Sequence, residues 1–212
     1  MDVRMFTVGV VQENCYLFRR DGSERALIVD PGDEAEKLLH AIDALGVELD
    51  GILVTHTHFD HIGAVAPVAK ATGAEVWVPE IEKGVLADIN SYVPWPGFGP
   101  FESYEAEHAL SGGEKLELAG FDIDVIFTPG HSPGHVTFSI PAEAAVFSGD
   151  VLFQGSVGRA DLPGGDWATL LESIRTLVDE LPPETAVYPG HMGITSLGAE
   201  RASNPFLAEL AR

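Results

Sequence analysis

Four short apolar runs in this chain each end in a small or turn-forming residue and then in a side chain able to bind a metal. Gly51-Ile52-Leu53-Val54 leads into Thr55-His56-Thr57-His58-Phe59-Asp60-His61. Val125-Ile126-Phe127 leads into Thr128-Pro129-Gly130-His131, and Ala145-Val146-Phe147 into Ser148-Gly149-Asp150. Ala186-Val187-Tyr188 leads into Pro189-Gly190-His191. Apolar runs this short, bounded by turn residues, have the signature of buried strands. Strand ends that present ligands along one edge of a layered β structure hold those side chains on rigid elements, and glycine lets the backbone turn sharply beside them.

The rest of the chain supplies the partners such strands need. Phe6–Val10, Cys15–Phe18 and Arg25–Val29 are expected strands, with a turn at Asp21-Gly22-Ser23. Gly51–Thr55, Glu75–Val78, Lys115–Leu118, Phe121–Phe127, Val136–Ile140, Ala144–Phe147 and Ala186–Tyr188 follow. Helices are expected over Asp33–Leu45, with Leu38, Leu39, Ile42 and Leu45 on one face, and from Asp60 to Thr72. Two more are expected over Trp167–Glu180, N-capped by Asp166, and from Ser196 onward. Residues 79–110 form an irregular stretch carrying Tyr92, Trp95, Phe98, Phe101 and Tyr104 among Pro94, Pro96 and Pro100. Strands that pair sequentially in two halves with helices between them favour an α+β arrangement. Two mixed sheets would pack face to face with helices outside, as one domain over 1–212.

Charge narrows the partners. The chain has 12 basic and 33 acidic residues, a net charge of −21. That field repels nucleic acid and anionic membrane, so a small-molecule substrate is the expected partner and a nuclease is disfavoured. No apolar run reaches the ~18 residues of a membrane span, and the first residues lack the layout of a signal peptide. Cys15, in the apolar run Cys15-Tyr16-Leu17-Phe18, is the only cysteine, so it is expected to be a buried small hydrophobe. A reducing, cytoplasmic setting is compatible with that. The oligomeric state is left open.

The ligand count points to chemistry. His56 and His58 would lie about 200° apart on a helix, on opposite faces, but a loop after a strand can turn both toward one point. His56, His58, His61, His131 and His191 with Asp60 and Asp150 are too many ligands for one four-coordinate ion. They suit two divalent metal ions, zinc foremost with iron or manganese as alternatives, if one carboxylate bridges. Ions about 3.5–4 Å apart can share a hydroxide that attacks a carbonyl or phosphoryl centre, so no protein nucleophile is needed.

The run His56-Thr57-His58-Phe59-Asp60-His61 resembles the HxHxDH motif of the metallo-β-lactamase superfamily, and His131, Asp150 and His191 match its other ligand positions in order. The resemblance implies an αββα sandwich with the metals at one edge. His56, His58 and His131 would bind the first metal, Asp60, His61 and His191 the second, and Asp150 would bridge. Asp60 and Asp150 are the implied catalytic carboxylates.

Asn14-Cys15-Tyr16-Leu17, the run Thr128 to His135 and the segment from Ser148 to Asp166 are most similar to the short glyoxalase II-like (hydroxyacylglutathione hydrolase-like) group. Ser196-Leu197-Gly198 and Asn204-Pro205-Phe206-Leu207 add to this. The implied function is hydrolysis of a small thioester or ester by metal-bound hydroxide. β-Lactamases of the family lack an aspartate at the bridging position, so Asp150 argues against that activity. Full-length glyoxalase II enzymes add a helical domain that helps grip glutathione, whereas here 21 residues follow His191, with Arg201 and Arg212 basic. Two alternatives stand beside the hydrolase. One is a mononuclear iron persulfide dioxygenase using His56, His131 and Asp150; the other is a non-catalytic metal-binding domain.

Other candidates have plainer explanations. His40 is expected on the exposed side of a helix and His108 in a loop. His135 is expected to make a structural hydrogen bond, with support of the site as the alternative. Gly130-His131-Ser132-Pro133-Gly134 matches the spacing of a serine nucleophile elbow, but that motif needs a helix next, and Val136-Thr137-Phe138-Ser139-Ile140 is strand-like. Arg159 and Asp161 form either a loop-ordering ion pair or a substrate anchor. The aromatic residues of 79–110 form either a satellite core or the wall of a pocket over the metals.

Overall fold

Strand pairing divides the chain into two sheet-forming units. In the computed structural model, residues 1–93 and 95–207 are described; Pro94, in the aromatic stretch, and Arg212, in the expected C-terminal helix, lie outside them. One compact unit comprises residues 1–110 with 117–121, the other 111–116 with 122–212.

The first unit runs β1 (Asp2–Val8), β2 (Glu13–Arg19), β3 (Arg25–Val29), α1 (Ala35–Leu45), β4 (Glu48–Leu53), α2 (Phe59–Ile62), α3 (Val65–Thr72) and β5 (Val76–Pro79). After a 3₁₀ turn at Glu80–Glu82 come α4 (Lys83–Ala87), a second 3₁₀ turn at Ile89–Ser91 and β6 (His108–Leu110). The strands form a mixed sheet in sequential order, β1 to β6. β1, β2 and β3 are antiparallel neighbours, and β3 to β6 are parallel. Parallel neighbours need a crossover, and α1 provides it between β3 and β4. Its apolar stripe buries Leu38 and Ile42, with Leu39 and Leu45 partly buried against the same core, while His40 is exposed as expected.

The second half of the chain carries β7 (Lys115–Leu118), β8 (Phe121–Phe127), β9 (Val136–Ile140), β10 (Ala145–Gly149), a small hairpin of β11 (Leu152–Phe153) and β12 (Ser156–Val157), then α5 (Trp167–Glu180). β13 (Ala186–Pro189), β14 (Thr195–Ser196) and α6 (Leu197–Ser203) complete it. The sheet order is β14-β13-β10-β9-β8-β7, with β10 parallel to β13 through the α5 crossover. Asp166 caps α5 by accepting from the Thr169 backbone N–H at 2.8 Å, and Leu170, Ile174, Leu177 and Val178 bury its inner face. Bonds from the hydroxyl and the N–H of Thr169 hold the Asp166 carboxyl below its usual range.

Several sequence expectations need correction. β1 spans Asp2–Val8 rather than Phe6–Val10, because its pairing with β2 runs from Asp2 opposite Arg19 to Val8 opposite Glu13. β4 begins at Glu48 and ends at Leu53, so Val54 and Thr55 already belong to the loop. The single helix expected from Asp60 to Thr72 is two helices, α2 and α3. The Ala64 N–H bonds the Pro31 carbonyl at 2.9 Å instead of continuing the ladder, a tertiary contact that no local pattern announces. Residues 79–110 are not irregular throughout, since they contain α4 and β6. His108 therefore sits in a strand, not a loop. Its ring stacks on Trp77 (centroids 4.2 Å, 16° between planes), and its Nε2 is 2.7 Å from Glu75. Past Ser196 the helix α6 ends at Ser203.

Candidate metal centre

In the first unit the loop between β4 and α2 is pinned by two buried carboxylates. Asp30, just past β3, accepts from the Thr55 backbone N–H at 2.7 Å and from its hydroxyl at 2.6 Å. Glu82, in the 3₁₀ turn after β5, accepts from the Thr57 N–H at 2.7 Å and its hydroxyl at 2.9 Å. With both threonines tied down, the histidine rings between and beyond them gather. His56 Nε2 lies 3.1 Å from His58 Nδ1, and the His56 and His61 ring centroids are 4.1 Å apart. Asp30, His56 and His61 are buried and offer ligand atoms all within 4.8 Å of one another.

These donors fit a metal ion. Two nitrogens each about 2.0–2.1 Å from one zinc at a tetrahedral angle are about 3.3 Å apart, close to the 3.1 Å seen for His56 and His58. His61 Nδ1 is 3.0 Å from Asp30 Oδ2. That partner keeps the proton on Nδ1 and turns the Nε2 lone pair toward a ligand position. Asp60, at the start of α2, has Oδ2 3.9 Å from His61 Nε2.

The chain after β3 presses against this segment. A Cβ on Gly32 would sit 1.5 Å from the Asp60 carbonyl oxygen and 2.7 Å from Glu13 Oε2, so only hydrogen fits there. Gly32→Ala is therefore expected to displace Asp60 and His61, costing about 1–3 kcal/mol of stability and lowering metal content. Thermal denaturation and metal analysis of one preparation check this; an unchanged metal content with an unchanged midpoint would contradict the close-approach argument.

In the second unit three strand ends deliver the remaining candidates. His131 Nδ1 is 2.7 Å from the backbone carbonyl of Arg159 and donates to it, which makes Nε2 the candidate ligand atom. That Nε2 is 3.5 Å from Asp150 Oδ2, and His191 Nε2 is also 3.5 Å from the same oxygen. Asp150 is held by its own backbone: its N–H donates to His135 Nε2 at 3.1 Å. The His135 proton then lies on Nδ1, 3.0 Å from the Thr128 hydroxyl, which is itself 3.0 Å from the Thr137 hydroxyl. His135 thus accepts a structural hydrogen bond from the backbone N–H of a candidate ligand, the structural role expected from the sequence. A Cβ on Gly158 would fall 1.8 Å from the Asp150 carbonyl, a close approach that fixes the same turn.

Arg159 acts on His131 through its main chain. Its guanidinium is paired to Asp161 at 2.6 and 2.8 Å, the loop ion pair, and holds the Asp161 carboxyl below its usual range. Ser132 precedes a strand, β9, as expected, so the elbow geometry is absent. Cys15 is fully buried, and burial, reinforced by Glu13 and Asp30, pushes its thiol well up and keeps it protonated.

Asp30 and Glu82 were not among the sequence candidates. Asp30 follows the same grammar as the others, an acidic residue after the buried run Leu27-Ile28-Val29 and before Pro31-Gly32. Glu82 carries no such mark, because its importance comes from where the chain folds back.

The superfamily signature of metallo-β-lactamases matches residues 8–191, a span that takes in all seven candidate ligands. The chain belongs to the metallo-β-lactamase superfamily. The hydroxyacylglutathione hydrolase GloC of Haemophilus influenzae is 37% identical over 209 residues, 98% of each chain. Among solved structures, BLEG-1, described as a B3 metallo-β-lactamase, superposes with a TM-score of 0.92 at 39% identity, covering 97% of this chain and 99% of that one. TTHA1623, crystallised in a di-iron-bound form, gives a TM-score of 0.80 at 42% identity over 96% and 100% of the two chains. The fold is the α+β metallo-β-lactamase fold expected from the sequence, with a mixed sheet in each unit. The protein thus has the framework of a metallo-hydrolase superfamily and a histidine–aspartate cluster able to hold metal. Among the described residues no helix is long and apolar enough to cross a membrane.

Proposed function

We propose that the protein hydrolyses a small thioester or ester at a binuclear metal centre. The observation that carries this reading is the end-to-end similarity to GloC, a hydroxyacylglutathione hydrolase that aligns over 98% of both chains. In this reading His56, His58 and His131 hold one ion, Asp60, His61 and His191 the other, and Asp150 reaches both. The placement of Asp150 Oδ2 at 3.5 Å from both His131 and His191 supports the last role.

Such ions, when bound, supply Lewis acidity and make a water nucleophilic near neutral pH. The chain's own groups prepare that chemistry. Asp30 and the Arg159 carbonyl fix the tautomers of His61 and His131. Asp60 and Asp150 bring negative charge that offsets the mutual repulsion of two cations. The net reaction joins a water oxygen to the acyl carbon, breaks the C–S or C–O bond, and releases an acid and a thiol or alcohol. The donor set contains no thiolate and suits zinc, iron or manganese; zinc is proposed as the resident metal, and the di-iron-bound neighbour supports iron as the alternative.

Protein purified without chelator is expected to carry close to two metal ions per chain and to hydrolyse lactoyl-glutathione. A reproducible single iron with oxygen uptake on a persulfide would replace this reading with the dioxygenase. BLEG-1 favours β-lactam hydrolysis as a second reading. A chromogenic cephalosporin assayed beside the thioester decides between them: the thioester should have the higher kcat/KM, and the reverse order would overturn the proposal.

A further inference from the structure

Two runs near the C-terminus, Ser196-Leu197-Gly198 and Asn204-Pro205-Phe206-Leu207, have no part in the chemistry above. Between them, on α6, lies Glu200. Glu200 and Asn204 are both buried, at 2% and 4% exposure. Glu200 Oε1 accepts from the Thr195 hydroxyl at 2.6 Å. Its Oε2 accepts from the Gly155 backbone N–H and from the Asn204 amide, each at 2.8 Å. The Asn204 amide nitrogen also donates to the Ser156 carbonyl at 2.9 Å, and its Oδ1 accepts from the Phe206 N–H at 3.0 Å.

Gly155 and Ser156 lie at the turn of the β11–β12 hairpin. That hairpin is a two-stranded sheet of its own, with Leu152 opposite Val157 and Phe153 opposite Ser156. An isolated two-stranded hairpin is marginally stable at best. The two-residue turns that suit a hairpin need a positive φ at the first central residue. Gln154 has none, and the positive φ, 68°, falls on Gly155 instead. The turn therefore supports the pairing poorly, and the buried bonds to Glu200 and Asn204 hold its outer end.

The inner end of the same hairpin reaches the candidate metal centre. Asp150-Val151 leads into β11, and Gly158, directly after β12, donates its N–H to the Val151 carbonyl at 3.3 Å. The next carbonyl, that of Arg159, accepts from His131 Nδ1 at 2.7 Å. Phe153 on β11 meets the His191 ring edge-on, with centroids 5.8 Å apart and 85° between planes. A shift of the hairpin thus disturbs the surroundings of His131, Asp150 and His191 together.

We propose that Glu200 and Asn204 are positioning residues for the metal centre. They clamp the outer turn of the β11–β12 hairpin, so that its other end presents Asp150 and His131 in ligand geometry. The inference rests on the metal-centre reading above and extends it to two side chains that would touch neither metal nor substrate.

The test reads zinc affinity. Metal-free parent and variants are titrated with zinc against a competing chelator, at a temperature where circular dichroism shows each folded. Glu200→Ala and Asn204→Ala should each weaken zinc binding by about 10–100-fold, the scale of losing an outer partner of a metal ligand. Glu200→Gln should stay within about threefold of the parent. Its carbonyl can take the place of Oε2, and its amide can donate to the Thr195 hydroxyl, which accepts as well as donates. A lower unfolding midpoint with unchanged zinc affinity in the folded alanine variants overturns the proposal, and so does a comparable affinity loss in Glu200→Gln. A second measurement needs no variant. Zinc loading of the parent should slow hydrogen exchange of the Gly155 N–H by about tenfold or more, because a clamp coupled to the ligands is stabilised in return by the metal. Unchanged exchange overturns the proposal even where both alanine variants fail to fold. A parent that binds no zinc overturns the metal-centre reading and the clamp with it. Zinc results as expected, with no turnover of any thioester or ester, uphold the clamp and overturn the hydrolase reading alone.

Discussion

Asp150→Ala is expected to lower metal content at both positions and to reduce hydrolysis by about a thousandfold or more, whereas Asp60→Ala should empty chiefly one position. The difference follows from geometry. Asp150 Oδ2 stands 3.5 Å from the Nε2 atoms of both His131 and His191, which the proposed scheme assigns to different ions. Removing it takes one ligand from each ion together with the charge that offsets their repulsion. A loss of several kcal/mol of transition-state stabilisation corresponds to three decades in rate. The fold should survive, because the core of this unit is built from Val146, Leu170, Ile174 and their neighbours rather than from the metal ligands. Metal content, circular dichroism and turnover of the two variants, measured side by side, check the expectation. Two metals and substantial turnover in Asp150→Ala would show that Asp150 is not a bridge.

What could be seen in the sequence depended on how local its cause was. The strands β8 and β9 and the helix α5 have the bounds the sequence suggests, because each is set by its own alternation or stripe and by adjacent turn or cap residues. The candidate ligand histidines could be picked out for the same reason: a buried run, a turn and a metal-binding type of side chain lie within a few residues. The break between α2 and α3 was not, since it depends on the Pro31 carbonyl reaching Ala64 across the fold. Nor was β6, a three-residue strand whose partner β5 lies about 30 positions earlier. Glu82 illustrates the limit at the site. Its buried carboxylate holds Thr57 between two candidate ligands, yet in sequence it is one acid among 33 acidic residues. Conversely, His108 and His40 have the right side chain and no site, because a ligand needs convergent neighbours as well as an imidazole.

Asp30→Asn is expected to weaken metal binding by about 10–100-fold, the usual cost of losing a carboxylate behind a ligating histidine. Asp30 Oδ2 accepts from His61 Nδ1 at 3.0 Å, and the same carboxylate accepts from the Thr55 backbone and hydroxyl. Asparagine keeps the size of the side chain and one carbonyl acceptor, but it replaces the other oxygen with an amide that can only donate. Either His61 or Thr55 then faces a donor, so the imidazole loses its preferred tautomer or the loop loses an anchor. In both cases Asp30 acts as a positioning residue, through groups that would touch the metal. A merely structural role would lower the unfolding midpoint and leave metal affinity in the folded protein unchanged. Titrating the metal-free variant with zinc against a competing chelator, at a temperature where circular dichroism shows it folded, separates the two. An unchanged zinc affinity for the folded variant would remove Asp30 from the metal-site machinery and leave it a strut for the β4–α2 loop.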